Sequence, residues 1–177
     1  RPPKGKLGRF CECYLLGRIL YGGGSRMQFD TRSMRMRFRS AKSATPPPDD
    51  VREESYPELW DLRPSAYLRV ASGASLDEVL DFAARGLARH PDAVREASVK
   101  TLLGVLGRGH EGLLAIAVAE LERRFDPESP DLTLIRRLQK HDAKPARELA
   151  VTLAVSSVAA WAHRPDAVSA ALLELLD

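Results

Sequence analysis

The sequence predicts an all-α fold: a short α-solenoid of about three antiparallel helical hairpins, preceded by an extended basic N-terminal arm. Three observations lead there. Apolar residues recur at helical spacing throughout 76–177, and the breaks between these stripes carry Pro or Gly. Pro-Asp also recurs, at Pro91-Asp92, Pro130-Asp131 and Pro165-Asp166, at intervals of 39 and 35 residues. A unit near that length holds two helices, and each pair leaves an apolar face that only the next pair can cover.

The chain has 177 residues and is 44% hydrophobic, enough for a sizeable core. Its net charge of +3 is unevenly divided. Residues 1–44 hold eleven Lys or Arg against only Glu12 and Asp30, so the rest of the chain is net acidic. A basic arm on a mildly acidic body points to nucleic acid or an anionic membrane surface as the arm's partner.

Within the arm, "SMRMRFRS" (33–40) places Met34, Met36 and Phe38 on one parity and Arg35, Arg37 and Arg39 on the other. Extended, it is a strand with one apolar and one cationic face. A hairpin pairing "RILY" with "RMQF" around "YGGGS" (21–25) is one reading of this region. The expectation adopted is an extended arm, because it has little apolar surface to offset ordering at about 1–2 kcal/mol per residue. The candidate RNA-binding residues are Lys4, Lys6, Arg9, Arg26, Arg32, Arg35, Arg37, Arg39 and Lys42, whose cations would neutralise phosphates.

Residues 45–75 read as a proline-rich linker, opened by "TPPPDD" and continued by "YPELWDLRPSAY". Prolines at 46, 47, 48, 57 and 64 exclude a long helix and favour extended backbone. Tyr56, Trp60 and Tyr67 are expected to pin the linker to the body, since Glu53, Glu54, Glu58 and Asp61 around them would repel phosphates.

The helical-repeat domain, 76–177, shows six stripes. The first is Leu76, Val79, Leu80, Ala83 and Leu87, and the second Val94, Ala97, Thr101, Leu102 and Val105. The third runs from Leu113 to Phe125, and the fourth is Leu132, Ile135 and Leu138. The fifth is Leu149, Leu153, Ser157, Ala160 and Trp161, and the sixth Val168, Ala171, Leu172 and Leu175. Asp92, Asp131 and Asp166 are available as N-caps. Leu80, Leu102, Leu121, Leu153 and Leu172 are expected in the core.

The segment "ARELAVTLAVSSVAAWAHRPDAVSAALLELL" (146–176) resembles the repeats of organellar helical-repeat proteins, namely the octotricopeptide and heptatricopeptide repeats and those of FAST-kinase and RAP-domain proteins. Glu148, Leu149, Ala150, Leu153, Trp161 and Leu172–Leu173 sit at matching places. "REASVKTLLGVLGRGHEGLLAIAVAELERR" (95–124) looks like a second copy without the tryptophan. The resemblance implies an organelle and a role in RNA metabolism or the mitochondrial ribosome.

No nucleophile, general base or metal constellation stands out, so the chain does not read as an enzyme and no cofactor is implied. Cys11 and Cys13 form a lone Cys-x-Cys, two ligands short of a zinc site. The glycines of "GVLGRGHEG" lack the Gly-Lys-Ser/Thr of a phosphate loop and read as an inter-helix turn, with His110 facing solvent. "LERRF" and "LIRRLQKH" offer Arg123, Arg124, Arg136, Arg137 and Lys140 either as a basic patch or as a solvated face balanced by Glu120, Glu122 and Glu128. No apolar run is long enough to span a bilayer.

Three function classes remain. The first is a structural RNA-binding protein, with RNA (rRNA above all) on residues 1–44 and neighbouring proteins on the repeats. The second is a scaffold in another organellar multiprotein complex. The third, attachment to an anionic membrane surface, is disfavoured by a strand-period charge pattern. An Arg-rich, acid-poor start at Arg1 is expected of a mature end left by presequence removal, which places the protein in the mitochondrial matrix, with a plastid as the alternative.

Overall fold

The computed structural model describes residues 14–45, 47–48, 51–161 and 166. Over these the chain is mostly helical, with one small two-stranded sheet. In order they form α1 (Tyr14–Tyr21), β1 (Met27–Asp30), β2 (Arg35–Phe38), a 3-10 turn (Ala41–Ala44), α2 (Pro57–Asp61) and α3 (Ser65–Gly73). Then follow α4 (Asp77–Arg89), α5 (Pro91–Arg95), α6 (Val99–Leu106), α7 (Glu111–Arg124), α8 (Leu132–Gln139) and α9 (Lys144–Ala160).

The first, third, fourth and fifth apolar stripes became α4, α7, α8 and α9. The second is split. Ser98 accepts a hydrogen bond from the Thr101 backbone N–H at 3.1 Å, which caps α6 and ends the short α5 before it. Asp131 caps α8 through the Leu134 N–H at 3.0 Å, whereas Asp92 lies inside α5 and caps nothing. The sixth stripe, Leu172 included, lies outside the described residues.

Helices pack as sequence neighbours, α3 on α4, α6 on α7 and α8 on α9. Across these pairs α3 meets α6, α4 meets α7 and α7 meets α9. Leu80, Leu102, Leu121 and Leu153 are all buried in the resulting core.

Two expectations are corrected. From Tyr14 onward the basic region is not an extended arm, because α1 and a β-hairpin join the same core through Leu20, Tyr21, Met27 and Met36. The region does have apolar surface to bury once both sides of the hairpin are distinguished. The linker is likewise not extended over 57–73. Pro57 opens α2 and Pro64 stands at the N-cap of α3, where a proline's missing N–H and fixed φ are tolerated. Trp60 packs as expected, stacked on Tyr67 at 5.2 Å and edge-on to Phe82 at 4.9 Å.

Candidate nucleic-acid interface

β1 and β2 pair antiparallel with Met27 opposite Phe38, Gln28 opposite Arg37, Phe29 opposite Met36 and Asp30 opposite Arg35. Because side chains alternate, Met27, Phe29, Met36 and Phe38 share one face, and Gln28, Asp30, Arg35 and Arg37 the other. The apolar face is covered by α1. Met36 lies against Gly17, which has no side chain to hold it off, and the Tyr14 ring sits 4.1 Å from that of Phe29. The two-faced character of "SMRMRFRS" is thus resolved within the chain, and its arginine face is left outward.

The predicted site residues separate on this scaffold. Arg32, Arg35, Arg37, Arg39 and Lys42 are exposed along the hairpin and the 3-10 turn after it. Arg37 reaches across to Asp30 at 2.7 Å. Asp30 also accepts from the Arg32 N–H at 3.0 Å and the Ser33 hydroxyl at 2.7 Å, and the Ser33 bond leads in holding its carboxyl below the ordinary range. Asp30 is the only carboxylate within 14–45, where seven Lys or Arg occur. Lys4, Lys6 and Arg9 lie outside the described residues, as do Cys11 and Cys13.

Arg26 is the exception. Its guanidinium turns inward and donates to both carboxylate oxygens of Glu53, at 2.8 and 2.7 Å, and to the Ser43 carbonyl at 3.2 Å. It lies over the rings of Tyr21 and Phe38, 5.4 and 5.5 Å from their centroids. Burial pushes the Tyr21 phenol up to about 12, against the pull of Arg26.

Sequence reasoning missed the ionic cluster of which this pair is one end. Glu53 and Glu54 are both buried. Glu54 binds Arg52 and, at 3.3 Å, Arg89, and Arg52 continues to Asp61 at 2.6 Å, which meets His90 at 2.8 Å. The Arg52 bond keeps the Asp61 carboxyl below its usual range. Consecutive glutamates and one arginine in "VREES" gave only a faint signal, since a charge run is ordinarily solvated. The triple glycine serves this cluster too: Gly23 and Gly24 both donate to the Glu53 carbonyl, at 3.0 and 3.1 Å. An open cleft of about 320 Å³ beside the cluster is lined by Ser25, Arg26, Lys42, Ser43 and Val51 among others.

Elsewhere the basic residues of "LERRF" are internally engaged. Arg123 and Arg124 both bind Glu120, and Arg124 also donates to the carbonyls of Val94, Arg95 and Ala97 at 2.6–2.8 Å. The balanced reading of that stretch is the one the geometry favours, while Arg137 and Lys140 are exposed on and after α8. His110 is not a solvent-facing turn residue. Its Nδ1 accepts from the Leu113 N–H at the start of α7, and its Nε2 meets Asp81 at 3.0 Å.

Among the described residues no group of three or more His, Cys, Asp or Glu is placed to hold a metal ion. Among them, too, no helix is long and apolar enough to cross a membrane. Compared with protein-family models, curated proteins and solved structures, the chain matches none.

Proposed function

We propose that this protein is a structural, non-catalytic RNA-binding component of an organellar ribonucleoprotein, and specifically a mitochondrial ribosomal protein whose basic N-terminal region contacts rRNA. The observation that carries the reading is the outward face of the hairpin. Arg32, Arg35, Arg37, Arg39 and Lys42 are exposed there on a backbone whose other face is fixed to the core, with a single carboxylate among them. Cations held on a rigid support lose little freedom when they meet phosphates, and each contact also releases condensed counterions. Among the described residues this outward face carries no aromatic ring, which suits contact with the RNA backbone rather than base stacking.

The helical pairs α3/α4, α6/α7 and α8/α9 form, in this reading, a short α-solenoid, its first pair opened by α3 from the region expected as linker rather than at residue 76. Support comes from the contacts between pairs, with α3 on α6 and α4 on α7 stacking like on like. The likeness of its sequence to organellar repeats supports the mitochondrial matrix as its location, with a plastid as the alternative. The test is binding of the full chain to an rRNA fragment across a salt series. Replacing Arg35, Arg37 and Arg39 together by alanine is expected to lower the slope of log affinity against log salt by roughly 0.7–0.9 for each phosphate no longer neutralised. An unchanged slope removes these residues from phosphate contact.

A second reading, a scaffold subunit of another organellar complex, is favoured by one observation. Val151, Val155 and Val158 form an exposed apolar stripe along α9, a surface suited to a neighbouring protein. Co-sedimentation with a large particle that survives nuclease treatment would select it.

A further inference from the structure

β1 and β2 are joined by four residues, Thr31, Arg32, Ser33 and Met34. A loop residue in the left-handed region is ordinarily Gly or Asn, the unstrained choice there. This chain places Met34 there, at φ 54°, with 62% of its surface exposed. The loop around it is pinned, because Asp30 accepts from the Arg32 and Ser33 N–H groups and from the Ser33 hydroxyl, and Arg37 holds Asp30 in turn. Of the apolar series Met34, Met36 and Phe38, the last two face the core side of the hairpin and Met34 alone projects from its tip. An apolar side chain is therefore held in water on strained backbone, between Arg32 and Arg35. Folding gains nothing from that arrangement, and strain of this kind collects at binding sites.

We propose that Met34 is a wedge, presented to a bulge or similar break in an RNA helix, where its thioether packs against the face of an unstacked base while Arg32 and Arg35 reach the flanking phosphates. The inference rests on the reading of this surface as an RNA-contacting one and adds the structural class of RNA it prefers. The major groove of an A-form duplex is too narrow for side chains to read, and its minor groove is shallow, so a tip one residue wide finds a base face only where stacking is interrupted. Methionine is among the apolar side chains that proteins insert at base steps, and its polarizable sulfur adapts to a π surface. An apolar groove on a protein would have to desolvate the surrounding arginine charges, whereas a phosphate backbone meets them with opposite charge.

The experiment titrates the full chain against two RNA stem-loops at one salt concentration, one fully paired and one carrying a single 2-aminopurine bulge. The wild-type protein is expected to bind the bulged stem roughly tenfold more tightly, about what packing one methionine side chain is worth, and to change the 2-aminopurine fluorescence. Met34→Gly and Met34→Asn both suit the left-handed backbone. Both are expected to keep or raise the thermal midpoint, to keep the salt slope, and to bind the two stems alike without a fluorescence change. A wild-type protein indifferent to the bulge, or variants that keep the preference, overturns the wedge while leaving the arginine face as a phosphate surface. Failure of the wild type to bind either stem overturns both.

Discussion

Arg26 and Glu53, 27 residues apart, form a bidentate ion pair with oxygen distances of 2.8 and 2.7 Å, and their side chains are only 13% and 6% exposed. This pair adds a charged link to the apolar contacts of Leu20, Tyr21, Met27 and Met36 that join the basic region to the core. Removing one partner leaves the other charge buried without compensation. Arg26→Ala is therefore expected to lower unfolding free energy by about 3–5 kcal/mol in urea melts. Replacing both, Arg26→Met with Glu53→Leu, should recover much of that loss, because an apolar pair of similar size requires no desolvation of charge. A double variant no better than the single one would show that the missing hydrogen bond to Ser43, rather than the orphaned charge, dominates.

Gly86 lies in the last turn of α4, where alanine would ordinarily gain up to about 1 kcal/mol in helix propensity. Here a Cβ would run into the ring of Tyr67, which is fully buried and itself in contact with the rings of Trp60, Phe82 and His90. The ring has nowhere to move. Gly86→Ala is expected to destabilise by about 2–3 kcal/mol net, and Gly86→Ala with Tyr67→Leu by less than the two single changes combined. Thermal melts of the three variants measure the coupling.

The helices were legible where burial follows one period. In α4 the stripe Val79, Leu80, Ala83 and Leu87 is buried as its 3.6-residue repeat dictates, with Phe82, Ala84 and Gly86 widening the face. The α5–α6 break was missed since Val94, Ala97, Leu102 and Val105 stay roughly in phase across it, and only Ser98 with its bond to the Thr101 N–H marks the new start. The hairpin escaped the expectation of an extended arm, and the alternative pairing around the glycines misplaced its turn, for a related reason. Its turn, 31–34, contains no glycine, while the glycines that signal a turn at 22–24 instead bring backbone against the Glu53 carbonyl. In the site, the outward position of Arg35 and Arg37 follows from strand parity and was readable. The inward turn of Arg26 depends on Glu53 far along the chain, and no local pattern encodes a long-range partner.

Trp60 carries the attachment of α2. It is half-buried, stacked on Tyr67 and edge-on to Phe82. Trp60→Ala forfeits roughly 2 kcal/mol of apolar burial and ring contact. The expected result is a lower thermal midpoint with little change in affinity for RNA, since the arginine face lies on another element. An unchanged midpoint would count against the packing role.

Glu120 sets the acid limit of one helix junction. It accepts from Arg123 at 2.9 and 2.7 Å and from Arg124, and Arg124 in turn donates to the Val94, Arg95 and Ala97 carbonyls around the end of α5. The hydrogen bond from Arg123, then that from Arg124, outweigh desolvation and bring the Glu120 carboxyl from 4.5 down to about 2. A carboxyl whose folded pKa is depressed binds fewer protons in the folded state, so its contribution is present above the unfolded value and fades as pH falls toward the folded one. The window is therefore from about 4.5 down to about 2. Arg123 is more than half exposed, so solvent screening holds the whole contribution to roughly 1 kcal/mol. Glu120→Gln should melt lower than wild type at neutral pH, show a shallower decline through the acid window, and converge on wild type near its bottom. The slope that remains in the variant belongs in part to Asp30 and Asp61, whose carboxyls are also depressed. Parallel acid limbs for the two proteins would mean that Glu120 does not titrate there, and that Arg124 holds the end of α5 without it.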